Sequence, residues 1–285
     1  MSNQNPIQWF PGHMTKAKRQ MEENLKKVDF VIEIRDARIP DSSKNPMLDE
    51  LIQNKPRLIL LSKKDKADPI ATKEWIQKLQ SQGHQVLALD LIKDSYFKAL
   101  VQAAQTTCQK LIDKQKRRGI RPRALRAMVC GIPNVGKSTF INTMAKRKAA
   151  QTADRPGVTK SLQWIKLGQS LELLDTPGVY GQSLKILIPV CVLQILGSVR
   201  DEVVNMQELA IYACRWTTGK QKPGLFGKAV SDRRTKDPWQ TLENIALKRG
   251  YLQKGSIDEN RLVRSFIKDI REDKLGPLTW EFPHD

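Results

Sequence analysis

The sequence predicts an α/β fold: a doubly wound, mostly parallel sheet in three layers, joined to a small all-α C-terminal domain. Two observations carry this prediction. Short apolar runs at 30–34, 57–61, 85–89 and 125–130 alternate with segments of helical periodicity, the alternation by which crossover helices connect parallel strands. Beyond about residue 180 the strand-like runs end and only helical spacing of apolar residues continues.

Each element has its own signal. Ala17, Met21, Leu25 and Val28 set an apolar stripe at helical period on an otherwise basic segment, and the strand 30–34 follows. Pro46 opens a short helix with Met47, Leu48, Leu51 and Ile52 inward, and 57–61 is apolar enough to be buried on both faces. Asp68 and Pro69 form a helix start, a capping carboxylate followed by proline in the first turn. The strand 85–89 leads into a long helix reaching about Lys114. Between Lys110 and Arg126 stand eight basic residues against one acid, Asp113, punctuated by Gly119 and Pro122; this reads as a basic connector over 110–126. The strand 125–130 enters a glycine-containing loop, Lys137 starts a helix, and 162–167 and 170–175 make a hairpin around Gly168 and Gln169. Residues 186–196 are the most apolar stretch, but Pro189 and Gln194 interrupt it and it is too short to cross about 30 Å of hydrocarbon, so it reads as a buried helix. Helices are expected at 206–216, 239–250 and 258–272, the last with Leu262, Val263, Phe266, Ile267 and Ile270 on one face. The domain boundary falls near 180, giving domains 1–180 and 181–285.

Charge and cysteine usage bound the function. The 285 residues carry 49 Lys and Arg against 30 Asp and Glu, and a net +19 exceeds what solubility needs and points to a polyanionic partner. Cys108, Cys130, Cys191 and Cys214 are widely spaced, which excludes a zinc ribbon or a disulfide framework and fits a reducing compartment. The polar stretch before Pro6 has no apolar core, so the expected location is cytoplasmic, without a membrane partner.

The chemistry is carried by Gly131-Ile132-Pro133-Asn134-Val135-Gly136-Lys137-Ser138, a complete phosphate-binding loop between an apolar strand and a helix. A polyphosphate needs several N–H donors converging on its oxygens, and a tight turn at a helix N-terminus supplies them from residues such as Asn134, Val135, Gly136 and Thr139. Lys137 would reach the β- and γ-phosphates, and the Ser138 hydroxyl would ligate Mg²⁺. Downstream, Asp175-Thr176-Pro177-Gly178 ends an apolar strand. It offers a carboxylate to the Mg²⁺, usually through water, and the Gly178 amide to the γ-phosphate. Between them, Thr159 in Pro156-Gly157-Val158-Thr159 would complete the metal shell when triphosphate is bound.

A base-reading motif follows the strand 57–61: Ser62-Lys63-Lys64-Asp65. Asp65 would pair with guanine N–H groups and a lysine stem would lie across the ring, while Ser62 stands where such loops usually have Asn, a longer side chain with more donors. Around Asp90-Leu91, after the third strand, a further base-contacting turn is expected, without the usual small Ser. This base motif precedes the phosphate loop, whereas an ordinary GTPase has it afterwards; circular permutation of a compact domain accounts for the order.

At this point the chain resembles a known family. Trp9-Phe10-Pro11-Gly12-His13-Met14, Asp36-Ala37-Arg38-Ile39-Pro40, the Ser62–Asp65 motif, the Gly131–Ser138 loop, Pro156–Thr159, Asp175–Gly178 and Lys248-Arg249-Gly250 together look like the circularly permuted GTPases called ribosome biogenesis GTPase A. The resemblance implies a GTP-hydrolysing assembly factor that binds a large-subunit precursor in the GTP state and leaves on hydrolysis, slow alone, stimulated by the ribosome, and monomeric. It implies that residues 1–180 form the GTP-binding domain and that the helical domain contacts ribosomal RNA, with Arg215, Arg233, Arg234, Lys248, Arg249, Arg261, Arg264 and Lys268 as candidates. Helical period puts Arg261, Arg264 and Lys268 on one polar face. Val179 follows Asp175–Gly178 where many GTPases have a water-orienting Gln, and the resemblance assigns that task to His13. With Lys137 and Thr159 this completes the catalytic set, and Asn134 is implied as a K⁺ ligand beside Mg²⁺. Segment 179–190 departs from the family's polar, acidic pattern. Two other readings stay open: an RNA-binding scaffold with a vestigial nucleotide site, and a GTPase or ATPase of other RNA metabolism.

Overall fold

In the computed structural model the described residues are 19, 21–52, 55–121, 123–152, 164–175, 187–198, 205–219 and 237–284. Six strands form one sheet: β1 Phe30–Asp36, β2 Arg57–Ser62, β3 Gln85–Leu89, β4 Leu125–Cys130, β5 Trp164–Leu167 and β6 Leu171–Asp175. Their order is β3-β2-β1-β4-β6-β5, all neighbours parallel except the edge hairpin β5–β6. The helices of this part are α1 Pro46–Ile52, α2 Pro69–Ser81, α3 Phe97–Thr107, α4 Gln109–Arg117 and α5 Lys137–Thr152. Asp68 caps α2 as its sequence promises, accepting hydrogen bonds from the Ile70 and Ala71 amides. The expected single helix reaching Lys114 is instead two, α3 and α4, meeting at Cys108.

Side-chain alternation splits the core between the two faces. Val31, Met128, Cys130 and Leu174 pack on Met21, Leu25 and Val28 of the preceding helical stretch and on Leu48 and Ile52 of α1. On the same face Ile59 and Leu61 pack on Trp75 and Leu79 of α2. Between these two apolar clusters lies a buried ionic group, in which Glu33 accepts hydrogen bonds from Arg35 at 2.8 Å, Arg57 at 3.2 Å and the Asn45 amide at 3.0 Å. On the opposite face Tyr96, at the head of α3, stacks on Phe140 of α5 with ring centroids 6.2 Å apart.

The chain divides into two compact units, 1–185 together with 281–285, and 186–280. The last five residues therefore belong with the sheet, where 181–285 reads from sequence as one helical domain. Their anchors are specific. The Glu281 carboxylate accepts from the Asp41 and Ser42 amides at 2.8 and 3.0 Å, the Trp75 indole donates to the Glu281 carbonyl, and Lys78 donates to the Pro283 carbonyl.

The second unit is helical: α6 Leu187–Ile195, α7 Met206–Gly219, α8 Pro238–Lys248 and α9 Glu259–Arg271, with a small hairpin of β7 Leu252–Gln253 and β8 Ser256–Ile257 between the last two. Leu262, Val263, Phe266, Ile267 and Ile270 of α9 are buried as their spacing predicts. All four cysteines are free and buried, and burial pushes the Cys108 and Cys214 thiols up to about 12. Among the described residues no helix is long and apolar enough to cross a membrane.

Candidate functional site: a phosphate loop stitched to a base-reading turn

Strand β4 delivers the chain into the loop 131–136, and α5 begins at Lys137. The loop passes so close to β1 that a Cβ on Gly131 would lie 2.7 Å from the Ile34 carbonyl oxygen and 2.9 Å from Val135 Cγ2, so only glycine fits. Asn134 and Gly136 take left-handed backbone, with φ of 62° and 98°. Such a turn gathers successive N–H groups about one point, and the start of α5 adds its positive dipole end. Gly136 contributes the first helical acceptor, its carbonyl receiving the Phe140 amide at 2.9 Å. Ser138 is exposed on that first turn, and Lys137 and Thr139 are half-buried.

The base-reading turn is bonded directly to this loop. Ser62 ends β2, is fully buried, and its hydroxyl lies 2.5 Å from the Val135 carbonyl oxygen and 3.0 Å from that of Arg35. A hydroxyl has one proton, so the two carbonyls share it. Lys63 sits in the left-handed region at φ 55°, a strained setting for a side-chain-bearing residue. Its ammonium donates to the Asn134 carbonyl at 2.7 Å and pairs with Asp36 at 2.9 Å. Two adjacent side chains of one motif thus hold two adjacent carbonyls of the other. Asp65 is exposed in the single 3₁₀ turn Lys64–Lys66, with no partner among the described residues, while Lys64 pairs with Asp94 at 2.6 Å.

Sequence reasoning quoted Asp36 and Arg38 without giving them a task. Asp36 is completely buried, receives the Arg38 guanidinium at 3.0 and 2.8 Å, and grips Lys63. Burial alone would raise its pKa, but Arg38 and then Lys63 overcome it and hold the carboxyl well below the usual carboxylate range. The signal was present in the sequence as an acid ending a predicted strand, one that is buried along its whole length.

Asp90 and Leu91 divide their roles. The Asp90 carboxylate accepts from the Ile92 and Lys93 amides at 2.9 and 3.2 Å, and the Asp94 carboxylate accepts from the Asp90 amide at 2.9 Å, so these acids hold their own turn. Leu91 is buried, and its Cδ1 would lie 3.1 Å from a Cβ on Gly136, beside the Ser62 Cβ at 3.7 Å. A small Ser62 and a large Leu91 thus meet the same glycine, Gly136.

Asp175 is the last residue of β6 and pairs in register with Val129 of β4, which brings it level with the strand that enters the loop. Ser138, on the first turn of α5, carries a hard oxygen donor of the kind that suits Mg²⁺. No group of three His, Cys, Asp or Glu gathers among the described residues to cage an ion unaided. His13, Thr159 and Gly178 lie outside the described residues, as do Arg233 and Arg234.

In the helical unit Arg261, Arg264 and Lys268 are all exposed on α9, and Arg261 lies over the Tyr251 ring at 4.5 Å from its centroid. Lys248 and Arg215 are exposed on α8 and α7. Arg249 differs. It is exposed too, and it is bound to the buried Asp269, which Lys274 also holds, and to Ser265 at 3.2 Å.

Residues 126–212 match the family model described as 50S ribosome-binding GTPase. Over 281 residues the chain is 43% identical to the ribosome biogenesis GTPase A of Priestia megaterium, covering 98% of each protein. It is 42% identical to that of Bacillus pumilus, covering 97% of this chain and 99% of the other. This chain belongs to the ribosome biogenesis GTPase A family. A solved member-like structure, GNP-bound YlqF from Thermotoga maritima, superposes with a TM-score of 0.65 at 27% identity, covering 95% of this chain and 99% of that one. Within ribosome biogenesis GTPase A, the sheet order here explains how permutation spares the site. The loop strand β4 lies at the middle of the sheet with β1 and β6 beside it, so the base motif after β2 and Asp175 after β6 flank the loop, whichever comes first in sequence.

Proposed function

We propose that this chain is a slow GTPase that acts as an assembly factor for the large ribosomal subunit, binding the precursor particle with GTP and leaving after hydrolysis. The observation that carries the nucleotide part is the pair of bonds from Ser62 and Lys63 to the Val135 and Asn134 carbonyls. They make phosphate loop and base turn one rigid receptor, and pre-organisation of this kind lowers the ordering that binding demands. Asp65 then reads guanine, Lys137 neutralises the β- and γ-phosphates, and the amides from Asn134 to Thr139 and of Gly178 receive phosphate oxygens. Ser138, Asp175 and Thr159 hold Mg²⁺, which supplies charge neutralisation to the transferring phosphoryl group. Asn134 offers a K⁺ position, and His13 orients or deprotonates the attacking water. The ribosomal part is supported by the relatives' names and by a net charge of +19. Arg215, Arg233, Arg234, Lys248, Arg249, Arg261, Arg264 and Lys268 are the helical unit's contacts to ribosomal RNA, in a cytoplasmic, monomeric protein stimulated by its particle.

The test is GTP turnover by the purified protein with and without large-subunit precursors, together with co-sedimentation in a non-hydrolysable GTP analogue and in GDP. Stimulation and analogue-dependent binding are expected. Equal sedimentation in both nucleotides, or preference for ATP in a binding panel, sinks the proposal. Lys137→Ala is expected to abolish turnover and the nucleotide dependence of particle binding.

A further inference from the structure

The basic connector at 110–126 has no task in the nucleotide site, and the fold sorts its cations into two groups. Two are structural. Arg123 clasps Asp29 through both guanidinium nitrogens at 2.8 Å, and Arg126 pairs with Glu172 at 2.8 Å while lying over the Trp164 ring. The other six, Lys110, Lys114, Lys116, Arg117, Arg118 and Arg121, are all exposed and make no ion pair with a described residue. The one acid of the run, Asp113, is engaged by Gln109 at 2.9 Å.

These cations are arranged. Helix α4 turns Leu111, Ile112 and Gln115 inward, half-buried, and Lys110, Lys114 and Arg117 fall on its opposite face at spacings of four and three residues. At about 1.5 Å rise per residue they form a row roughly 10 Å long. Gly119, in left-handed backbone at φ 68° with nothing within 4 Å of its would-be Cβ, ends the helix and swings Arg118, Ile120 and Arg121 out beyond it. Ile120 is 49% exposed, an apolar tip between two arginines.

The position is informative too. Chain order shows that 108–124 joins α3, the helix after β3, to β4, the strand that opens the phosphate loop. An unpermuted GTPase has its two free ends at that place, so this segment is the joint that permutation created. A joint that merely spans a gap needs no charge, and Arg123 and Arg126 already pin it. We propose that the outward face of α4 and its following turn, through Lys110, Lys114, Arg117, Arg118 and Arg121, is a docking surface for the phosphate backbone of RNA, additional to the contacts of the helical unit. The row of cations on one exposed face is complementary to a phosphate strand. The inference takes its RNA from the ribosomal reading above, but its surface stands apart from that reading.

The experiment compares the full-length protein with the variant Lys110→Gln/Lys114→Gln/Arg117→Gln/Arg118→Gln. Binding to a short labelled RNA duplex is followed across salt, beside GDP binding and thermal unfolding. Each phosphate neutralised contributes roughly 0.7–0.9 to the log–log salt slope, so the variant is expected to lose about three units of slope and at least about tenfold in affinity near 0.15 M salt. GDP affinity and melting temperature stay at the parent values. Unchanged RNA affinity and slope in a variant that still binds GDP overturns the proposal, as does displacement by polyglutamate as effective as by RNA, which would make the face a site for acidic protein. If the parent binds RNA and loses it in this variant but never co-sediments with subunit precursors, the docking surface stands and the ribosomal reading falls.

Discussion

At the scale of single residues, Ser62 and Leu91 decide how the base is read. The Ser62 hydroxyl spends its one proton on the Val135 and Arg35 carbonyls and is wholly buried, so it has no donor left for guanine N7. A 7-deaza-GTP competition should therefore show affinity within about twofold of GTP, since a lost neutral hydrogen bond is worth about 0.5–1.5 kcal/mol and here none is made. A preference for GTP of tenfold or more would contradict it. Ser62→Asn should destabilise the protein by about 1–3 kcal/mol, because it over-fills a site closed by Leu91, and Leu91→Ser should recover part of that loss. Asp36 is the other decisive residue. Asp36→Asn leaves the Arg38 guanidinium without its carboxylate and frees Lys63 from one of two anchors. Chemical denaturation should register a loss of about 3–5 kcal/mol, the usual consequence of halving a buried pair.

Elements were legible where a local rule fixed them. Asp68 with Pro69 marks the start of α2, and the apolar runs at 85–89 and 125–130 match β3 and β4 residue for residue. The break between α3 and α4 was not legible, although its cause is chemical: Thr106 and Thr107 hydroxyls donate to the Gln102 and Ala103 carbonyls at 3.1 and 2.7 Å, a back-bonding that bends helices. The hairpin β7–β8 has two residues per strand, too few to show a period. Of the site, the loop and its glycines could be read because backbone geometry dictates them, whereas the tie from Ser62 to Val135 spans 73 positions and exists only once the sheet has formed. The segment 281–284 was illegible for the same reason, and it titrates. Burial pushes the Glu281 carboxyl up, against the hydrogen bonds from Ser42 and Asp41 that favour its charged form. A proton held more tightly in the fold than in the unfolded chain stabilises fully below the ordinary value of 4.5 and stabilises less as pH rises through the raised value. Glu281→Gln should remove that part of the pH dependence in thermal melts above pH 4.5, as the linkage sign requires; an unchanged pH slope would refute the assignment.

On the scale of the whole molecule, the sheet-bearing unit is discontinuous, closed by residues that follow the helical unit in sequence. Its late contacts join positions far apart: the Asp41 amide to Glu281 across 240 residues and Trp75 to Glu281 across 206. Such pairings come with a large loop-closure entropy and form late in folding. They also bear on the nucleotide site, because Glu281 holds the turn at 41–42 and Ser43 of that turn accepts the Asp36 amide at 2.9 Å, one residue chain from the carboxylate that anchors Lys63. Removal of 281–285 deletes the hydrogen bonds from Trp75, Lys78, Asp41 and Ser42. At about 0.5–1.5 kcal/mol each, the first unit should lose roughly 2–6 kcal/mol of stability. Unfolding of the truncated chain should then show the GDP-protected transition moving down in temperature while the helical unit's transition stays in place, and GDP should weaken with it. A truncated chain that melts and binds GDP like the parent would show that 281–285 merely rests on a unit already complete.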